Sequence, residues 1–186
     1  MGVLSSYVCI RKTYAIQDIY LYDELTSAKH SWKNTNLTSN QSYSSNGMTV
    51  TGNSNGAILV LDETLPSTYS AEVTITALSP SSNNASKGGG VGLESTFIQP
   101  LTSSCYIMQI GSPNNWFETQ PTFSVGDTLK LINDGSKVEY YKGTTKIGEI
   151  AIPSPNNHKG FGIRNLKIGN GTSDSITIKD LKIKSL

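Results

Sequence analysis

Apolar and polar residues alternate over much of this chain, and a period of two is typical of β-strands with one buried face. The clearest run is 69–78, where polar residues separate a set of apolar ones: Tyr69, Ala71, Val73, Ile75 and Ala77. No stretch repeats apolar residues at helical spacing over several turns. The pattern therefore predicts a protein built almost wholly of β-strands.

Three alternating runs in the last third of the chain are separated by glycine-containing turns. The first contains Leu129 and Leu131 and leads through an Asn-Asp-Gly-Ser turn into a return strand at 137–141. A Lys-Gly turn then leads into a third strand at 144–152, which is followed by prolines that cannot continue it. We therefore predict an antiparallel meander of three strands.

The final run, 175–184, interrupts its own alternation. Ile176 and Ile178 are followed by Leu181 and Ile183, so a regular strand would place the two pairs on opposite faces. One extra residue near 179–180 would restore all four side chains to the same face. We therefore predict a β-bulge at this point.

The remaining strand candidates are short runs rich in β-forming residues and bounded by turn residues. They are 3–10, 13–22, 48–51, 57–61, 90–94, 104–110, 116–119 and 160–166. Two polar stretches, 34–46 and 79–87, are predicted to be solvated loops.

Composition narrows the functional classes. The 186 residues suffice for one domain with a substantial core, and Ser, Thr and Asn make up about a third of them. The net charge of +1 is spread without a basic stripe, which argues against nucleic acid and anionic membranes as partners. No segment approaches the roughly 20 apolar residues that span a bilayer, and the N-terminus lacks the order of a signal peptide. We expect neutral polar ligands or other proteins as partners, and no cofactor.

The two cysteines, Cys9 and Cys105, are far apart in the sequence and are flanked by apolar residues. Cysteine is among the most frequently buried residue types, so two buried free thiols are the favoured interpretation. A disulfide between them stays open as the alternative.

Several stretches share their order with a known family of double-sheet jelly rolls. They are Tyr20-Leu-Tyr-Asp-Glu-Leu with the later Trp32, then Asn46-Gly-Met-Thr-Val-Thr, Tyr69-Ser-Ala-Glu-Val-Thr and Gly88-Gly-Gly-Val-Gly-Leu. This order resembles the concanavalin A-like lectins and glucanases, in their laminin-G-like and carbohydrate-binding branches. The resemblance implies an antiparallel two-sheet jelly-roll β-sandwich over 19–186, with Trp32 in the core.

The resemblance also implies two kinds of site that the residues support poorly. Many members bind structural calcium near the chain ends, which makes Asp23, Glu24 and Asp180 candidates, although solvated acids are the favoured interpretation and we predict no metal. Glucanase members carry a Glu-x-Asp-x-x-Glu strand, and this chain has no such run. The two histidines, His30 and His158, lie in polar segments that do not indicate a catalytic triad. We therefore expect no enzymatic activity.

Binding to a sugar needs an aromatic surface for the ring and planar hydrogen-bonding groups for the hydroxyls. The sequence offers such a set around one turn and two strands. The candidates are Asn114, Asn115 and Trp116 at a turn, Tyr106 and Gln109 on opposite faces of the preceding strand, and Arg164 in a glycine-flanked strand. Trp116 and Tyr106 as core residues, and Arg164 as an ordinary exposed charge, stay open as alternatives.

Residues 1–18 do not match the jelly roll. Leu4, Val8 and Ile10 alternate with Val3, Tyr7 and Cys9, so a strand here would have two apolar faces, both of which need a cover. We predict an assembly arm at 1–18 that packs on copies of this chain or on another protein, with completion of the domain's own sheet as the alternative.

A β protein rich in Ser, Thr and Asn, with an apolar arm and no export signal, resembles structural proteins of bacteriophage virions. The sequence hypothesis is thus a virion structural or receptor-binding protein that is assembled in the host cytoplasm and binds host-surface glycans. A carbohydrate-binding or adhesion module of a larger secreted bacterial protein is the alternative, and a glycoside-active enzyme comes third.

Overall fold

A computed structural model describes residues 19–34, 40–51, 57–79, 88–109, 115–152, 160–166 and 175–186. Those residues form strands and turns without a helix, as the alternation predicts. The strands are β1 (Ile19–Asp23), β2 (Trp32–Asn34), β3 (Asn40–Ser44), β4 (Gly47–Thr51), β5 (Ala57–Leu61), β6 (Tyr69–Ser79), β7 (Gly88–Leu93), β8 (Thr96–Pro100), β9 (Cys105–Gln109), β10 (Asn115–Thr119), β11 (Thr128–Asn133), β12 (Lys137–Lys142), β13 (Thr145–Ala151), β14 (Phe161–Leu166) and β15 (Ser175–Ser185).

The strands form two antiparallel sheets. The first has the order β13-β12-β11-β6-β15-β4-β3, and β1 pairs with the second half of β15. The second has the order β10-β9-β8-β7-β14-β5-β2. Because about half of the neighbouring strand pairs are distant in sequence, long connections cross between the sheets, as in a jelly roll. The predicted two-sheet sandwich is therefore confirmed.

The main core lies between the sheets and receives alternate side chains from both. Its largest fully buried members are Tyr69, Tyr140, Phe161, Leu25, Met48, Ile75, Leu93, Ile98, Ile107 and Leu129. Trp32 is partly buried against this core and meets the Phe161 ring edge-on at 6.3 Å, as the sequence predicts. Cys105 is a buried free thiol, and burial raises its pKa to about 11.

The predicted meander is β11, β12 and β13, and its first turn shows why the sequence specifies it. Asp134 Oδ1 accepts hydrogen bonds from the backbone N–H groups of Ser136 and Lys137 at 2.8 and 2.9 Å. Gly135 has a φ of +92°, which residues with a side chain adopt at a cost. These backbone donors favour the charged carboxylate and lower the pKa of Asp134.

The predicted bulge in β15 is confirmed. The pairing with β6 shifts between Lys179 and Lys182, and Asp180 has a φ of +55°. The four apolar side chains on either side of it are all fully buried: Ile176, Ile178, Leu181 and Ile183.

A second irregularity lies on β6 and corrects the predicted alternation there. The register shifts again between Thr177 and Ile178, opposite Ala77 and Ile75. Ala77 is exposed as a result, while Leu78 packs against the core. The prediction of one regular face from 69 to 77 is therefore wrong at its last member.

The stretch 34–46 is not wholly a loop. Residues 40–44 form β3, a polar edge strand that pairs with β4, and Tyr43 packs against the main core. An edge strand needs only one apolar anchor, because its other face and edge meet water. β2 and β8 are likewise strands that the sequence pattern does not predict.

Several predictions fall on residues outside the described ranges and stay predictions. They concern the arm at 1–18 with Cys9, the loop at 80–87, Asn114, the prolines at 153 and 155, and His158. Across the described ranges there is no helix long and apolar enough to cross a bilayer.

Candidate functional site

The second sheet carries an apolar cluster that is separate from the main core. Its buried members are Ile58, Val60, Phe97 and Met108, and Tyr106 packs against them partly buried. In β8 and β9 these residues alternate with Ile98 and Ile107, which belong to the main core. Because successive residues of a strand point to opposite faces, the cluster lies on the face turned away from the first sheet. We call this surface the outer face of the second sheet.

Arg164 lies on the same outer face, in the middle strand β14. Its strand neighbour Ile163 is fully buried in the main core, so Arg164 faces the other way. Nη1 lies 2.9 Å from Sδ of Met108, and Cζ lies 5.9 Å from the centre of the Phe97 ring. The guanidinium therefore reaches across the sheet and rests on the apolar cluster.

A glycine makes this reach possible. Arg164 pairs in register with Gly90 of β7, which presents no side chain beneath it. A Cβ at Gly90 would approach the carbonyl oxygen of Ile98 to 2.9 Å and Cβ of Phe97 to 3.5 Å. The space over β7 thus stays free for the arginine stem.

The environment of Arg164 is unusual for a cation. The side chain is only partly exposed, and burial lowers its pKa to about 10, so the group remains charged at neutral pH. No carboxylate of the described residues forms an ion pair with it. The alternative of an ordinary exposed surface charge is therefore wrong.

Tyr106 and Gln99 extend the outer face beside this cation. They are cross-strand partners in β9 and β8, and Gln99 shares the face of Phe97, two residues away. Gln99 is almost fully buried at 1% exposure. The sequence reasoning missed Gln99 and Phe97 because it did not predict β8, and it did not select Met108 on the predicted strand at 104–110.

Asn115 and Trp116 begin β10, the edge strand next to β9. The strand predicted at 116–119 is confirmed, and Asn115 belongs to it and not to the preceding turn. Trp116 is the register partner of Met108, so position 116 belongs to the row of the outer face that contains Met108 and Phe97. β10 lies four strands from β14, which is about 19 Å at the usual strand spacing. Positions 116 and 164 therefore share a face but are too far apart for a single monosaccharide.

The other predicted residues do not join this face. Gln109 pairs in register with Asn115 and with Thr96. Thr96 is fully buried and accepts a hydrogen bond from Tyr140 of the first sheet, so this row is directed toward the first sheet. The predicted set is thereby divided: Tyr106, Arg164 and position 116 belong to the outer face by register, whereas Gln109 and position 115 belong to the inner one.

The outer face of the first sheet has a depression of about 480 Å³ that sequence reasoning also missed. It is lined by Glu72, Thr128, Lys130, Ile132, Tyr141, Gly143 and Thr144. Its cation is already paired, since Lys130 Nζ lies 3.7 Å from Glu72 Oε1 and 6.0 Å from the centre of the Tyr141 ring. The cation of this depression therefore has an acidic partner among the described residues, whereas Arg164 has none.

The calcium candidates do not assemble into a cation site. Asp23 is buried at 1% exposure, so the interpretation of it as a solvated acid is wrong. Its carboxylate accepts a hydrogen bond from the Leu25 N–H at 2.9 Å and lies 3.8 Å from His30 Nε2 and 4.0 Å from Lys29 Nζ. In the part of the chain that the structure describes, no group of acids, cysteines and histidines has a metal-binding arrangement.

Comparison with solved structures identifies the fold. The carbohydrate-binding module CBM66 from Bacillus subtilis superposes with a TM-score of 0.58 at 12% identity, over 82% of this chain and 95% of that one. The Crh5 transglycosylase in complex with NAG gives 0.60 at 12% identity, over 89% and 83% of the two chains. The chain shares the two-sheet jelly-roll fold of these structures.

The receptor-binding domain of botulinum neurotoxin D also matches, with a TM-score of 0.53 at 9% identity. The match covers 91% of this chain but 49% of that domain, so this chain spans about half its length. No family model and no curated protein sequence matches the chain. At these identities the likeness concerns the fold, and the function must be argued from the chain's own residues.

Proposed function

We propose that this protein is a non-enzymatic glycan-binding module whose binding surface is the outer face of the second sheet. The observation that carries the proposal is the arrangement of Arg164 and Tyr106 on a buried apolar cluster, on the same face as position 116. Aromatic and apolar surface would receive the sugar ring, while the arginine donates hydrogen bonds to its substituents. The shared fold with a carbohydrate-binding module supports this choice.

The expected affinity follows from few contacts. Stacking on one aromatic ring contributes about 1 kcal/mol beyond burial, and each hydrogen bond exchanged with water adds about 1 kcal/mol. The sum corresponds to dissociation constants of about 1 mM per site. Such a module would act usefully in several copies, where linkage raises the effective concentration.

The acids of the structure support a role without catalysis. Glu139 and Glu149 are register partners on β12 and β13, and Lys146 contacts both carboxylates at 2.8 and 2.7 Å. These lysine contacts lower the pKa of both glutamates, to about 2 for Glu139. A glycosidase needs one carboxylic acid with a raised pKa, so this pair is unsuited to protonate a leaving group.

For the biological setting, we propose a virion structural or receptor-binding protein of a bacteriophage that is assembled in the host cytoplasm. It would contact host-surface glycans through the outer face of the second sheet, and other virion proteins or copies of itself through the arm at 1–18. The apolar arm and the near-neutral charge support this setting. A module of a secreted bacterial protein that binds carbohydrate or mediates adhesion is the alternative, and neighbouring genes for portal, tail or baseplate proteins would distinguish the two.

Glycan-array screening followed by an NMR titration tests the proposal. We expect shifts of the amides of β8, β9 and β14, and a loss of affinity of about fivefold or more for Tyr106→Ala and Trp116→Ala, in proportion to the stacking each contributes. Tyr141→Ala, on the opposite sheet, serves as the control and should leave affinity unchanged. Glycan binding that is unaffected by both first variants would remove this surface, and turnover of a bound glycan would refute the non-enzymatic role.

A further inference from the structure

Arg164 combines partial burial with the lack of an acidic partner among the described residues. Most lysines of the described residues pair with acids, among them Lys33 with Asp62, Lys142 with Asp127, and Lys137 with Glu149. The chain has two arginines, and Arg164 is the one within the described ranges. It lacks such a partner there, although its side chain is partly buried.

Twelve of the fourteen acids in the sequence lie within the described residues, and none of these twelve forms an ion pair with Arg164. Outside the described ranges the acidic side chains are Asp18 and Asp174. Glu118, on β10, is the register partner of Tyr106 and is not within ion-pair distance of Arg164.

Burying a charge without a partner is costly, and such groups are normally paired in folded proteins. One nitrogen of the Arg164 fork donates to the weak acceptor Met108 Sδ. The planar guanidinium has further donors, and its geometry matches a carboxylate through two parallel hydrogen bonds. A ligand that carries a carboxylate would supply the missing charge and acceptors together.

We propose that the outer face of the second sheet binds acidic sugars, with the ligand carboxylate paired to Arg164 and its ring placed on the Tyr106 side of the apolar cluster. This inference rests on the proposed function and specifies its ligand class. Arg164 would select ligands that carry a negative charge. Tyr106 and position 116 would contribute contact area that does not distinguish one sugar from another.

The test compares ligands that differ in charge alone. The intact protein is titrated with tri-galacturonic acid and with its methyl ester, and with the α-methyl glycoside of N-acetylneuraminic acid and its methyl ester. An arginine–carboxylate pair should make each acid bind at least about tenfold more tightly than its ester, and added salt should weaken the acid alone. Acetate, used as a carboxylate without a ring, should produce no saturable shift at comparable concentration.

Two variants attribute the preference to the residue. Arg164→Met keeps the apolar stem over Phe97 and should make the affinities for acid and ester equal within about twofold. Lys130→Met removes a positive charge from the opposite sheet and should keep the preference, which controls for net charge. If Arg164→Met does not fold, the Arg164 side-chain NMR resonance of the wild type takes its place, and it should shift with the acid but not with the ester.

Each outcome is decisive. Equal affinities for acid and ester in the wild type would overturn the acidic-sugar proposal while leaving glycan binding intact, and so would a preference that survives Arg164→Met. Saturable binding of acetate at the same residue would show a simple anion site. Binding of neutral glycans with no response to either acid would refute this inference alone, whereas no response to any glycan would refute the proposed function as well.

Discussion

The hydroxyl of Tyr140 on β12 donates a hydrogen bond to Oγ1 of Thr96 on β8 at 3.2 Å, and both side chains are fully buried. This contact joins the two sheets through the middle of the sandwich. Burial, which disfavours the phenolate, raises the pKa of Tyr140. The pair therefore fixes the position of the second sheet by a directional contact inside an otherwise apolar core.

We predict that Tyr140→Phe lowers the free energy of unfolding by about 1 kcal/mol, because Thr96 loses a buried donor. Thr96→Val should cost a similar amount, and the double variant should cost less than the sum of the two. Urea unfolding measures all three. Tyr141→Phe is the control: its hydroxyl donates to Glu139 near the surface, and we expect less than about 0.5 kcal/mol. Strictly additive effects at Tyr140 and Thr96 would show that the hydrogen bond does not couple the sheets.

The β-bulge of β15 gives the second prediction. Asp180 has a left-handed φ of +55°, which Asn and Gly tolerate and β-branched residues do not. Asp180→Gly and Asp180→Asn should stay within about 1 kcal/mol of the wild type in unfolding free energy, whereas Asp180→Val should cost about 2 kcal/mol or more. Thermal melts give the order. If Val is tolerated as well as Gly, the bulge lies elsewhere in solution.

How far the sequence predicts this fold depends on whether a feature is specified by residues close together in the sequence or by residues from distant strands. The bulge and the meander are local: Ile178 and Leu181 break a period within one strand, and Asp134 caps its own turn. β8 was missed because its five residues are all buried, so no polar face shows the alternation. Arg164 was found by residue type, but its burial depends on Gly90 and Met108 from two other strands, which no local pattern specifies.

The third prediction concerns the stability of the folded protein at low pH. Glu139 has its pKa lowered to about 2 by hydrogen bonds from Lys146, Tyr141 and Lys137. The unfolded state therefore binds more protons than the folded one as the pH falls, so this stabilisation is present above about pH 5 and is lost toward about pH 2. Because these side chains lie at the surface, the effect should be modest and should shrink in high salt.

Denaturant midpoints measured across this pH range test the linkage. Glu139→Gln should reduce the loss of stability on acidification, because the glutamine cannot take up a proton. Glu118→Gln is the matched control, since Glu118 is exposed on β10 and forms no ion pair with the described residues. Identical pH profiles for Glu139→Gln and the wild type would show that the lysine contacts do not persist in solution.

The last prediction concerns residues 1–18, which precede β1. β1 presents a large exposed apolar surface at Ile19, Tyr20 and Tyr22, with relative exposures of 58%, 49% and 49%. Burying one large apolar side chain contributes about 1.5 to 3 kcal/mol, so an arm with two apolar faces should be covered in the working protein. If the arm joins subunits, deletion of residues 1–18 should give a monomer that melts near the wild-type temperature but no longer assembles. Size-exclusion chromatography with light scattering and a thermal melt decide this. An unchanged oligomeric state together with a sharply lowered melting temperature would instead assign the arm to the domain's own sheet.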